Sequence, residues 1–175
     1  MRLKSLVSAT FMVTPFLLLG AHADATEFSA KLVGFEEVPA IFSKGAGTLD
    51  LNLNRKARTI TFKLTFSGLS APATQSHIHF GKRHVAGSIT VFFCTNLNNG
   101  PAGTQACPAG GGTVTGTITG ANVGGIAAQG LPADDFDALV ALLDSDTAYA
   151  NVHTTNFPAG EIRGQIHRGD RDDDQ

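Results

Sequence analysis

Gly47-Thr48-Leu49-Asp50-Leu51-Asn52-Leu53-Asn54-Arg55-Lys56-Ala57-Arg58-Thr59-Ile60-Thr61-Phe62-Lys63-Leu64-Thr65-Phe66 is the stretch that decides what kind of chain this is. Leu49, Leu51 and Leu53 alternate with Thr48, Asp50 and Asn52. Beyond the polar turn Asn54-Arg55-Lys56-Ala57, Ile60, Phe62, Leu64 and Phe66 alternate with Thr61, Lys63 and Thr65. A period of two marks a strand with one face in a core, and two such runs around a short polar turn make a β-hairpin. Leu51 and Phe62 are expected on its buried face.

Outward from this hairpin the same short runs recur: Glu27 to Val33 before it, then a strand around Ser76 to Phe80, Ser88 to Phe93, Thr113 to Thr119, and a pair spanning Tyr149 to Ile166. One segment differs. Phe136, Leu139, Val140 and Leu143 follow i, i+3, i+4, i+7 spacing, with Pro132 ahead of them and Asp134, Asp135 and Asp137 suited to the positive end of a helix dipole, so an amphipathic helix is expected over Ala133 to Asp144. The chain has 175 residues, only 16% of them charged, and 20 glycines; charged residues usually make up about a quarter of a domain. These features predict one all-β domain, an antiparallel Greek-key β-sandwich or flattened barrel of about eight strands with one short helix.

The first residues read as a targeting segment. Arg2 and Lys4 precede the apolar run Leu6 to Gly20, and Ala21-His22-Ala23 has the small residues expected before a signal-peptidase cut, placed after Ala23. The expected organisation is therefore a signal peptide at 1–23, a β domain at 24–167 and a disordered polar tail at 168–175, in a secreted or periplasmic protein with no membrane span after the cut. The Arg168-Gly169-Asp170 triplet in that tail, which resembles an integrin ligand, is read as a chance occurrence. Without Arg2 and Lys4 the chain keeps 11 basic and 15 acidic side chains, a formal charge of −4, which argues against nucleic acid and anionic membrane as partners. In an oxidising compartment Cys94 and Cys107, the only two cysteines, are expected to pair across the Gly/Pro/Asn-rich loop between them.

The polar residues of the Tyr149 to Ile166 pair exceed what a solvated hairpin needs. Alternation puts Tyr149, Asn151 and His153 on one face, and in Ser76-His77-Ile78-His79-Phe80 it puts His77 and His79 on one face with Ile78 and Phe80 opposite. If these strands are neighbours, three imidazoles converge on a face or cleft away from the core. Imidazole suits copper and zinc, so His77, His79 and His153 are candidate ligands. The alternative is a structural network in which they hydrogen-bond Asn151, Thr154 and Glu161. Glu161 and Arg163 are expected to form a same-face pair, with Arg163 also a candidate anion guide. His84 and His167 are read as solvated. No nucleophile elbow, phosphate loop or acid/base carboxylate pair supports a hydrolase or kinase.

Three motifs together, Phe35-Glu36-Glu37-Val38-Pro39, His77-Ile78-His79-Phe80-Gly81, and Asn151-Val152-His153-Thr154 continuing through Phe157-Pro158-Ala159-Gly160-Glu161-Ile162-Arg163-Gly164-Gln165, resemble the chordin-type (CHRD) domain over roughly Glu27 to His167. Read with this resemblance, the chain is expected to be a binding or structural module for an undefined protein or small-molecule ligand, with copper as the one cofactor the residues suggest. A second likeness is to copper/zinc superoxide dismutases. His77-Ile78-His79-Phe80-Gly81 is similar to their copper-ligating strand, His153 to their later copper histidine and Arg163 to their anion-guiding arginine. The chain departs from that pattern after His79, where only His84 stands as a further histidine before His153, and in its cysteine spacing. This likeness therefore implies a copper-binding redox protein with a copper-only or vestigial site.

Overall fold

The computed structural model describes residues 25–169. The expected signal peptide lies outside the described residues, as does the polar tail beyond Gly169. Among the described residues nine strands are formed: β1 (Ala25–Val33), β2 (Ala46–Asn54), β3 (Thr59–Ser67), β4 (Ala73–Phe80), β5 (Ser88–Thr95), β6 (Gly112–Ile118), β7 (Ala148–Thr154), β8 (Ile162–Gln165) and β9 (His167–Arg168), with one α-helix, α1 (Phe136–Asp144). The strands pair antiparallel in one sheet ordered β5-β4-β7-β8-β1-β2-β3-β6, with β9 added against β1. The sheet curls so that its end strands β5 and β6 approach each other, and the Gln105 amide donates to Phe93 O and Thr115 O across that seam. The all-β antiparallel expectation is met in the form of a nearly closed barrel.

The hairpin has the register that alternation implies. Leu49 faces Leu64, Leu51 faces Phe62 and Leu53 faces Ile60, and all six side chains are buried while Thr61 and Lys63 are exposed. They join Phe28, Leu32, Phe93, Val114 and Ile118 inside the barrel. Each such side chain stabilises the fold by about 1.5–3 kcal/mol relative to leaving it in water. Cys94 and Cys107 are disulfide-bonded, and a crosslink closing a loop of this length contributes about 3 kcal/mol.

Helix α1 starts three residues later than its sequence pattern suggests. Asp134 adopts φ +59°, a left-handed conformation that ends the preceding turn, and Asp135 becomes the N-cap, its carboxylate accepting from Ala138 N at 2.9 Å. The apolar stripe Phe136, Leu139, Val140, Leu142 and Leu143 is buried. At the other end of the chain, Arg168 pairs with Phe28 in β9, so the sheet continues into the segment read from sequence as tail.

Candidate metal-binding site

Strands β4 and β7 are neighbours, with Gln75 opposite His153, His77 opposite Asn151 and His79 opposite Tyr149. On that face His77 and His153 are diagonal neighbours, close enough for side chains of this size to touch. The ring centroids lie 4.9 Å apart for His77 and His153, 5.4 Å for His77 and His79, and 6.2 Å for His79 and His153. One nitrogen from each ring lies within 4.8 Å of the others. The three imidazoles therefore converge. Of the open face and the cleft that their place opposite Ile78 allowed, they occupy an enclosed position, for His77, His79 and His153 are 0%, 6% and 5% exposed. The cover comes from side chains and loops laid over the outer face of the sheet: the Phe92 ring meets His77 edge-on at 4.4 Å and Tyr149 stacks on His79 at 4.7 Å.

Hydrogen bonds set the tautomers. His79 Nδ1 lies 3.0 Å from Gly87 O and His153 Nδ1 lies 2.9 Å from Pro158 O. A carbonyl oxygen only accepts, so both Nδ1 atoms carry the proton and both Nε2 atoms present a lone pair. This is the arrangement in which a backbone carbonyl orients a metal-ligating histidine. His79 Nε2 and His77 Nε2 are buried with no hydrogen-bond partner, and an unsatisfied buried polar atom costs about 1–3 kcal/mol. His153 Nε2 lies 3.2 Å from His77 Nδ1 and 3.0 Å from the Asn151 side-chain amide, which donates to it when turned to present its NH2 group. With His153 Nε2 unprotonated, the 3.2 Å contact is a hydrogen bond donated by His77 Nδ1, which leaves the Nε2 of His77 with a lone pair as well.

Burial keeps the rings neutral. It pushes His77 down to about 2, helped by the charges that His153 and His79 would carry. It pushes His79 down to about 4 despite the Gly87 hydrogen bond, and lowers His153 against the opposing Pro158 hydrogen bond.

Glu161 and Arg163 are not a pair. Glu161 lies just ahead of β8, and its carboxylate accepts from Ser43 Oγ, Ser70 N, Ser70 Oγ and Thr154 Oγ1 at 2.6–2.8 Å. Burial raises its pKa, but these four hydrogen bonds outweigh burial and hold the carboxyl below its ordinary value. It clamps three loops together and is hydrogen-bonded to none of the histidines, nor is the Thr154 side chain. Of the structural network expected from sequence, only the Asn151 contact is made. Arg163 lies in β8 opposite Asn151. Its guanidinium sits 3.4 Å over the Tyr149 ring and donates to Lys82 O and Val85 O. Arg163, Tyr149 and His79 thus form one stack, which leaves the arginine in contact with the histidine group through Tyr149. His84 is an exposed turn residue at φ +62°, and His167 lies 3.6 Å from Asp146, away from the cluster.

Glu37 stands in the Phe35-Glu36-Glu37-Val38-Pro39 motif but was given no role of its own from sequence. It is 8% exposed, with its carboxylate packed against the α-carbon of Gly160, which has φ +133° and no room for a side chain. Burial pushes the Glu37 carboxyl up to about 7, against the opposing pull of Arg163 and of the Val38 N–H. The alternation Tyr149, Asn151, His153 was the signal for the remaining two contributors to the site.

A family model described as the CHRD domain matches residues 28–166. No curated protein and no solved structure matches the chain, so the comparisons support the first resemblance drawn from the sequence and add nothing to the second. The matched span runs from β1 through the residue after β8 and contains all three histidines together with Glu37, Glu161 and Arg163. The chain belongs to the CHRD-domain family.

Proposed function

We propose that this CHRD-domain protein is an exported binding module whose three-histidine group holds one transition-metal ion through His77, His79 and His153. The observation that carries this reading is the convergence of three buried imidazoles, one nitrogen of each within 4.8 Å of the others, with the Nε2 atoms of His77 and His79 partnerless and the Pro158 hydrogen bond leaving His153 Nε2 a lone pair. Three neutral imidazoles favour copper(II) over zinc by the usual affinity order of divalent ions. The disulfide accords with an oxidising compartment and hence with export.

Burial favours holding an ion over turning over a substrate. A catalytic metal keeps an open coordination position, whereas these rings are at most 6% exposed. Arg163 is occupied by Tyr149 and two carbonyls, which argues against a free anion guide.

Copper(II) titration of the chelator-treated domain, followed by spin resonance, tests the reading. It requires one ion per chain with nitrogen hyperfine structure, a large loss of affinity in each of His77→Ala, His79→Ala and His153→Ala, and none in His84→Ala. Equal copper binding by the parent and the triple variant would leave only a structural role for the rings.

A further inference from the structure

The large apolar side chains left in solvent are not scattered over this protein. Among the described residues six are exposed, and five of them lie together: Val33 at the end of β1, and Phe35, Val38, Phe42 and Val85 on two adjoining loops. Phe42 is 89% and Phe35 66% exposed, with ring centroids 6.1 Å apart. The loop that carries them is braced from below: Glu37 N and Ile41 N both donate to Gly34 O, and Glu37 is buried against Gly160. The second loop is tied to the first by Arg83 and Glu36, 3.8 Å apart, and to the barrel by Arg163, which donates to Lys82 O and Val85 O. A pair of aromatic rings therefore projects from a rigid base, and an apolar patch kept in water in this way marks an interaction site.

Charge narrows the occupant. The whole chain is formally −2, which points away from anionic surfaces, yet the sign is reversed on this rim. Lys44, Lys82 and Arg83 are exposed there, while of the nearby acids among the described residues only Glu36 reaches solvent, Glu37 and Glu161 being buried. A second copy of the chain would set this positive rim against itself. We infer that the Phe35/Phe42 rim docks on an anionic lipid surface, the two rings entering the headgroup–acyl boundary while Lys44, Lys82 and Arg83 remain among the headgroups. Two projecting rings suit penetration of a soft surface better than closure on a flat protein face. The inference is independent of the metal reading.

Vesicle co-sedimentation tests it. Wild-type protein should bind vesicles of phosphatidylcholine containing about a third phosphatidylglycerol, release as salt is raised well above about 0.1 M, and bind pure phosphatidylcholine far more weakly. Phe42→Ser removes a ring that is 89% exposed and takes no part in the core, and it should lower partitioning about tenfold or more. The result should be the same with and without chelator, which separates it from the copper titration. Failure to bind the anionic vesicles, binding unchanged in Phe42→Ser, or a dimer by light scattering that Phe42→Ser dissolves would each overturn the inference, the last in favour of a self-association surface.

Discussion

Replacing Glu37 with Gln should stabilise the protein at neutral pH and do nothing in acid. Two opposed effects act on this carboxylate: burial disfavours its charge, and Arg163 and the Val38 N–H favour it, with burial prevailing and the pKa raised from 4.5 to about 7. The native state therefore holds a proton that the unfolded chain has already released between those values. The stability tied to the neutral acid is fully present below pH 4.5 and is lost as pH rises through about 7. At about 1.4 kcal/mol per pH unit the loss is on the order of 3 kcal/mol. Gln has the shape of the neutral acid and carries no charge at any pH. The difference between variant and parent should thus be near zero below pH 4.5 and grow to about 3 kcal/mol by about pH 8. For a domain of this size that is about 10 °C in melting temperature. Thermal melts of both proteins across that range measure it directly. A variant less stable than the parent at about pH 8 would show that the Arg163 attraction outweighs burial, and a pH-independent difference would show that Glu37 is solvated.

In metal-free Glu37→Gln protein the histidines set the acid limb: His79, lowered from 6.5 to about 4, contributes stability present above pH 6.5 and lost as pH falls through about 4, on the order of 3 kcal/mol, so melting temperature should drop steeply over that window and copper should raise it at neutral pH. Phe62→Ala should cost about 3–5 kcal/mol by denaturant unfolding and Thr61→Ala under about 1 kcal/mol, equal losses meaning that the facing of β3 is wrong. Thiol labelling of the unreduced protein should find no free cysteine, and Cys107→Ser should cost about 3 kcal/mol, with two reactive thiols per chain contradicting the bond.

What was legible in the sequence is what short-range periodicity encodes. The hairpin register follows from alternation on either side of a short polar turn, and a one-residue slip would have turned Leu51 and Phe62 to solvent. The convergence of His77, His79 and His153 followed from the same rule once β4 and β7 were taken as neighbours. What alternation could not supply is what lies over the outer face. It placed the histidines opposite Ile78, which is correct, but their burial comes from Phe92, from Tyr149 with Arg163 above it, and from loops reaching across the sheet. The start of α1 was misplaced for a local reason, since Asp134 and Asp135 read as first-turn acids while one adopts a left-handed turn and the other caps.

Glu161, Arg163 and Glu37 show why the charged residues were hardest to assign. Strand spacing makes positions 161 and 163 same-face neighbours, and proximity of opposite charge then suggests an ion pair worth under about 1 kcal/mol. The chain instead satisfies each group separately. Glu161 is clamped by hydroxyls and an amide from residues 43, 70 and 154, the first two distant in sequence, and no periodicity connects them. Arg163 is left free of that carboxylate and spends its charge on the Tyr149 ring and on two carbonyls of the 82–85 turn. One consequence joins the two ends of the molecule's chemistry: Tyr149 sits between Arg163 and His79, so the arginine that braces the apolar rim also presses the ring that covers the third imidazole. Glu37, beneath the same rim, keeps a proton at mildly acidic pH and so adds little negative charge beside Arg163. The histidine group and the exposed aromatic rim are thus two faces of one loop system, even though each can be tested without the other.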